Sequence, residues 1–254
     1  MGFSAAWLAL REPADHAARD DRLLVAAAKA AGPAPVIVDL GSGTGSTVRA
    51  FAPVMPVKAV WRLVDSDPAL LAQNAGAGTT THKVDMRNLD DLPLADARLV
   101  TASALLDLCS HDWVTRLALS LKDRNIAFYA ALNYDGIMTW TPADEDDAVV
   151  TAAFNRHQRG DKGFGPALGP DCASAAADIF SKAGFSVTEA PSPWRLGPAQ
   201  AELQRQLCDG IAAAAAEMDA ATAGAWAARR AGLVLDGHCH IGHRDLLALP
   251  PGFQ

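Results

Sequence analysis

The sequence predicts an α/β protein whose mostly parallel sheet is wound on both faces by helices. Short strand-like runs alternate with helical patterns from Pro35 to Leu132, which implies parallel strands joined by right-handed crossovers. The run Pro35-Val-Ile-Val-Asp-Leu40 lacks polar alternation, as a strand buried on both faces does. It leads straight into the glycine-rich turn Gly41-Ser-Gly-Thr-Gly45.

The elements follow in order. A first helix is expected over Pro13 to Ala31, with Pro13 in its first turn. Leu23, Leu24, Ala27 and Ala28 recur there at helical spacing, and Gly32-Pro33 ends it. A second strand, Val57 to Val64, ends at Asp65; a helix starts at Pro68, and Asn74 to Gly78 closes it. The third strand, Thr79 to Val84, ends at Asp85. The fourth, Ala97 to Ser103, leads into Ala104-Leu-Leu-Asp-Leu108. A helix from about Asp112 to Leu121 precedes the fifth strand, Asn125 to Leu132.

From Asn133 to Pro170 the pattern loosens. An acidic helix start at Trp140 to Asp147 has its body in Ala148 to His157, and Gly160 to Pro170 reads as a loop. A helix at Asp171 to Ala183, a strand at Phe185 to Ala190 and an alanine-rich helix over Pro198 to Arg230 follow. In that last helix Leu203, Leu207, Ile211, Met218 and Trp226 make an apolar stripe, suited to its own domain or to a dimer contact. A strand from about His240 to Leu249 comes last. One domain is expected: lid helices in 1–32, a ligand-binding core in 33–133, lid or insert segments in 134–170 and 198–230, and the rest of the sheet in 171–197 and 231–254.

The chain has 254 residues, half of them hydrophobic, and a net charge of −7. That charge disfavours a nucleic-acid partner, since phosphate contacts call for a basic face. No apolar run approaches the roughly 20 residues of a membrane span, and the N-terminus lacks the basic start of a secretory signal. A cytoplasmic protein, monomer or homodimer, with no membrane partner is expected. Cysteines 109, 172, 208 and 239 are scattered, with no Cys-x-x-Cys pair. No metal is expected either: His238 and His240 would share one face of a strand, but His243 would point the other way, with no acid in the run.

A glycine turn after a buried strand lets backbone approach a ligand, and the following helix aims free N–H groups at it. Two details separate the possible ligands. The dinucleotide fingerprint wants glycine at position 46 and finds Ser46. Asp39, two residues before Gly41, would repel a pyrophosphate but suits a cationic ligand. The balance favours S-adenosylmethionine, which carries an ammonium group and a sulfonium.

Val36-Ile-Val-Asp-Leu-Gly-Ser-Gly-Thr-Gly45, Leu63-Val-Asp-Ser-Asp67 and Val84-Asp-Met86 together resemble the class I methyltransferases, with the order and spacing matching from about Pro35 to Leu132. The resemblance implies a Rossmann-like, doubly wound, mostly parallel seven-stranded sheet with helical lid insertions. It implies an S-adenosylmethionine-dependent methyltransferase of bacterial small-molecule type, releasing S-adenosylhomocysteine. Asp39 would anchor the methionine ammonium end, and Gly41, Gly43 and Gly45 would form the wall beneath it. Asp65, with Ser66 beside it, would take the ribose hydroxyls. Asp85 would accept from the adenine amino group, the Met86 N–H would face the ring, and Ser103 would close the site beside the sulfonium. Asp65 as a helix cap and Asp85 as a plain turn acid stand as alternatives.

The acceptor, expected to be a small molecule methylated on O, N or C, is less legible. Methyl transfer needs alignment above all, so the fold carries no universal catalytic residue. Asp107, His111 and Tyr134 are weak catalytic candidates, His111 serving equally well as a helix start. Arg11, His16, Arg19, Asn133, Trp140 and His157 are substrate-side candidates, the first three in a segment able to lie over the donor pocket and suited to an anionic substrate or the donor's carboxylate. Ala102-Ser-Ala-Leu-Leu-Asp-Leu108 departs from the Asn/Asp-Pro-Pro-Tyr/Phe motif of nucleic-acid and glutamine N-methyltransferases. A protein or RNA methyltransferase is the alternative, and an NAD(P)-binding oxidoreductase a more distant one.

Overall fold

The computed structural model describes residues 3–55, 58–74 and 78–253. Val57, expected to begin the second strand, and residues 1–2 and 75–77 lie outside the described residues. Five parallel strands build the first half of the sheet: β1 (Val36–Leu40), β2 (Val60–Asp65), β3 (Thr79–Lys83), β4 (Ala97–Ser103) and β5 (Ala127–Thr141). β6 (Ser186–Pro191), β7 (Trp194–Leu196) and β8 (His238–Leu249) complete it. The order is β3-β2-β1-β4-β5-β8-β6, with β8 antiparallel to both neighbours and the three-residue β7 paired to β8 beyond that path. Seven strands therefore form the main path, as the resemblance implied, and β7 is an addition that no periodicity announced.

Helices cover both faces. Alternate residues of the buried strands face opposite sides. Ile37, Leu63 and Leu99 pack with α2 (Asp21–Ala31), with Phe51 of α3 (Ser46–Phe51) and with Leu71 of α4 (Pro68–Leu71). Val38, Leu40, Val100 and Phe128 pack with α5 (His111–Asp123) and α7 (Cys172–Lys182). A third apolar cluster joins α1 (Ala5–Ala18), α6 (Asp147–Gln158) and α8 (Ala201–Ala231) to the far ends of β5 and β8. Trp226, fully buried, is its centre and meets Trp140 edge-on.

Two expected elements differ. The single helix over Pro13 to Ala31 is two helices. Ser4 starts α1 by accepting from the Trp7 N–H, and Pro13 lies inside it rather than in its first turn. Arg19 is extended, with ψ 142°, and the Asp20 carboxylate accepts from the Leu23 N–H to cap α2. A side-chain acceptor at Asp20 competes with continued helix, so the chain breaks there. The fifth strand does not end at Leu132 but runs on to Thr141, so Asn133, Tyr134 and Trp140 lie within a strand. Its register against β8 shifts between Ala130 and Asn133 and again between Tyr134 and Met138. Those bulges destroy the period-two pattern by which a strand is read.

Candidate functional site

The strand order reverses between β1 and β4, where open α/β sheets bind ligands beyond their carboxyl ends. A cleft of about 600 Å³ opens at that point. Gly41, Gly43, Asp65, Ser66, Asp85, Met86 and Ser103 all line it. The turn needs its glycines: φ is +64° at Gly41, +51° at Gly43 and +80° at Gly45. At Gly45 a Cβ would also stand 2.1 Å from Asn74 Oδ1, and Asn74 in turn donates to the Gly43 carbonyl at 2.9 Å. Asn74 thus braces the turn from below.

The three strand-end acids are not equivalent. Asp39 is 1% exposed, and Thr101 on β4, its register partner, donates to Oδ1 at 2.6 Å. Its Oδ2 has no partner. Burial pushes its carboxyl up to about 7, against the hydroxyl of Thr101 and the positive charge of Arg19, which pull it down. Asp65 is half-buried at the cleft wall and accepts from the Gly43 N–H and the Asp67 N–H, each at 2.9 Å. A carboxylate has about four lone-pair sites, so it can still accept from a ligand's hydroxyls. Asp67, rather than Asp65, caps the short α4 by accepting from the Ala69 N–H. Asp85 is exposed, and its carboxylate lies on the Arg87 guanidinium, whose hydrogen bonds hold it down at about 2. Met86 is buried, and Trp113 Nε1 donates to its carbonyl at 2.7 Å, fixing that corner.

Helix α1 roofs the cleft. Leu8, Arg11 and Asp15 line it, and Leu8 Cδ1 stands 3.0 Å from where a Gly43 Cβ would be. Arg11 donates twice to Asp15, which also accepts from Trp194 Nε1 of β7, so the roof is pinned to the sheet. The other wall is the 162–164 stretch of the glycine-rich loop, where Phe164 meets Trp113 edge-on.

Several sequence candidates lie elsewhere. His16 is absent from the described lining; its Nε2 approaches Ser46 Oγ and the Ser46 carbonyl at 3.0 and 3.1 Å, tying α1 to α3. His111 is the exposed first residue of α5, beside Thr115. Asn133 is buried and donates to the carbonyls of Ala130 and Arg244, bridging the bulge. Tyr134 is buried and donates to Asn155 Oδ1 at 2.8 Å, and burial raises its hydroxyl. Trp140 belongs to the third cluster, and His157 pairs with Glu217 of α8. These polar side chains that follow Leu132 therefore serve the fold. His243 is buried, and burial pushes it down to about 3.

Asp107 is different. It is not itself among the described lining residues, but Leu105 and Leu108 beside it are. Its Oδ1 is sealed from solvent without a partner, and burial pushes the carboxyl up to about 6, opposed by the charges of Arg11 and Lys162 from two cleft walls. Thr101, Asn74, Leu8 and Lys162 are site-building residues that the sequence did not single out. Only Thr101 carried a signal, since parallel pairing of β1 with β4 sets a β4 hydroxyl opposite Asp39.

No family model matches the chain, and no curated protein is similar to it in sequence. Its fold does have solved counterparts. A cyclopropane synthase from Mycobacterium tuberculosis superposes with a TM-score of 0.53 at 12% identity, over 97% of this chain and 94% of that one. A cyclopropane-fatty-acyl-phospholipid synthase-like protein from Lactobacillus casei gives 0.56 at 14% identity, over 98% and 95%. At such identities the likeness is one of fold. The chain has the Rossmann-like α/β fold of the class I methyltransferases.

Proposed function

We propose that the chain is a methyltransferase that takes its methyl group from S-adenosylmethionine and passes it to a small-molecule acceptor. The observation that carries this reading is the set of acids at or just past the ends of β1, β2 and β3: Asp65 and Asp85 line one cleft with the positive-φ glycines Gly41 and Gly43, and Asp39 is buried at the end of β1. The residues fit the donor: a buried carboxylate with an unpartnered oxygen for a cation, a wall carboxylate with free lone pairs for hydroxyls, and a turn with no Cβ where the ligand lies.

Asp39 anchors the ammonium end, Asp65 accepts from the ribose, and Asp85 and the Met86 N–H read the adenine. Ser103, Ala104 and Leu105 close the cleft beside the sulfonium. When bound, that sulfonium supplies an electrophilic methyl carbon. The chain's own contribution is alignment and exclusion of water under α1, and alignment is worth up to roughly 7–11 kcal/mol of barrier. Where the acceptor must lose a proton, Asp107 holds it. A small acceptor is favoured because the net charge of −7 gives no field for nucleic acid.

Calorimetric titration with S-adenosylmethionine, S-adenosylhomocysteine and NADH tests the reading. Micromolar binding of the first two without the third supports it. Binding of NADH alone moves the chain to the oxidoreductases.

A further inference from the structure

Lys162 lines the wall of the cleft that faces α1, in the glycine-rich loop between α6 and α7. That loop is held in shape. Asp161 Oδ1 accepts from the Gly163 and Gly165 N–H groups at 2.7 and 3.0 Å, and both glycines take positive φ, +106° and +87°. Ala167 bridges to Ser110, and the Leu168 N–H donates to the Cys109 carbonyl at 2.8 Å, which fastens the loop to the segment after β4. Lys162 Nζ donates to His157 Nδ1 at 3.3 Å, and His157 Nε2 lies 3.3 Å from Glu217 Oε1. An ammonium group has donors only, so Nδ1 is the accepting nitrogen and Nε2 carries the hydrogen toward Glu217. Lys162 is therefore held by a neutral imidazole, and among the described residues no carboxylate pairs with it. Its positive charge stays uncancelled at the cleft wall.

The rest of the cleft says what that charge is for. Arg11, the cation on the roof, is already neutralised by two hydrogen bonds to Asp15. Leu105, Leu108 and Phe164 line the same cleft as Lys162. A ligand that covers Lys162 strips water from a full positive charge, and the cost is severe unless the ligand brings a negative group. One uncancelled cation matches one negative charge. A sulfonium in the same cleft adds a second positive charge and strengthens that demand. We infer that Lys162 is the anion-binding residue of the acceptor subsite, and that the acceptor is a small monocarboxylic acid whose carboxylate sits on Nζ with its apolar body against Leu105, Leu108 and Phe164. The inference rests on the proposed methyl transfer and names its substrate class. His157 and Glu217 are positioning residues, which hold Nζ in place without neutralising it.

The test uses acetate, hexanoate and benzoate, each against its primary amide. Dissociation constants come from ligand-observed NMR, on the free protein and on the protein saturated with S-adenosylhomocysteine. At least one acid is expected to bind about tenfold or more tightly than its amide, the scale of a charge-assisted hydrogen bond. K162M is expected to erase that preference and to leave S-adenosylhomocysteine affinity unchanged, which also reports that the variant is folded. K162R is expected to keep part of the preference. H157A is expected to weaken it and H157N to restore it, since an asparagine Oδ1 accepts where Nδ1 does. Equal binding of acid and amide in all three pairs overturns the inference without any variant. A preference that survives K162M overturns it too. So does a loss of S-adenosylhomocysteine affinity in K162M, which makes Lys162 a donor-binding residue. A preference unchanged in H157A removes His157 as a positioning residue. Failure of S-adenosylhomocysteine itself to bind removes the donor reading, and the acid–amide comparison on the free protein still decides whether Lys162 binds a carboxylate.

Discussion

Polar side chains stand at the carboxyl end of β4 and past the first bulge of β5, and the two sets have opposite fates. Beyond β4, Ser103 lines the cleft and Asp107 keeps a partnerless oxygen between two cleft walls. Beyond Leu132, β5 does not end. Asn133 turns inward to the carbonyls of Ala130 and Arg244, and Tyr134 to Asn155. The difference lies in the backbone. A strand that ends releases its next residues to a ligand, whereas one that continues through a bulge leaves backbone groups that side chains must satisfy. In the first region the fold leaves the Asp107 Oδ1 without a partner, although Ser103 also accepts from Arg19 Nη2. Polar side chains in the second are used up.

Asp245 is the extreme of the second kind, and removing it should give the largest effect. It is fully buried on β8 and accepts from the Leu132 N–H, the Asp20 N–H and the Tyr129 hydroxyl. It thereby holds the bulge of β5 to the start of α2. Asp245→Ala strands three donors, two of them buried, and should cost roughly 3–5 kcal/mol of stability in urea unfolding. A loss below about 1 kcal/mol would show that water replaces it and would erase the contrast between the regions.

Asp39 sharpens the contrast from the other side, since it is buried yet incompletely satisfied. Its carboxyl is raised to about 7, above the roughly 3.9 of an unfolded chain, so the folded state favours the neutral form. The stability it contributes is fully present below about pH 4 and is lost as pH rises through about 7. Asp39→Asn is always neutral. The variant should be more stable than the parent at pH 8, by on the order of a few kcal/mol, and the gap should close as the pH falls toward 4. Chemical unfolding of both proteins across that range measures it. Asp107 contributes in the same sense, with its carboxyl raised to about 6, so the variant keeps part of the trend even after the substitution. A variant that is stabilised and binds the donor more weakly is what a carboxylate kept for a ligand predicts. One that is merely destabilised at every pH would make Asp39 a structural residue.

The legible half of the molecule is the half where local pattern and tertiary role coincide. β4 covers Ala97–Ser103, the range that the strand–helix alternation marked, and the glycine turn was legible because positive φ demands a specific residue. The site past Leu132 was not legible. Asn133, Tyr134 and Trp140 occupy positions where acceptor contacts are common, but the ladder that makes them structural is formed with β8, about a hundred residues later, in a register broken twice. The break at Arg19 was hidden for a related reason. Helical spacing continues through it in Leu23, Leu24 and Ala27, and only the Asp20 cap marks the end. Of the acids, sequence placed all three at strand ends, but it could not tell that Asp39 is sealed while Asp85 faces Arg87 and solvent.

That last inequality gives the smallest of the effects and the most specific. Asp65 is half-buried and already oriented by the N–H groups of Gly43 and Asp67. A hydroxyl binding there gains a preorganised, charged acceptor, so Asp65→Ala should weaken S-adenosylhomocysteine by roughly 1.5–3 kcal/mol in calorimetry. Asp85 must share its carboxylate with Arg87, in full contact with water and salt, where ion pairs and hydrogen bonds count for little. Asp85→Asn should therefore weaken the same ligand only a few-fold. Arg87→Ala, which frees Asp85 from its competitor, should leave affinity unchanged or slightly improved. An Asp85→Asn loss as large as that of Asp65→Ala would mean that ligand binding buries the β3 corner, and the 162–164 loop carrying Phe164 would be the segment to bury it.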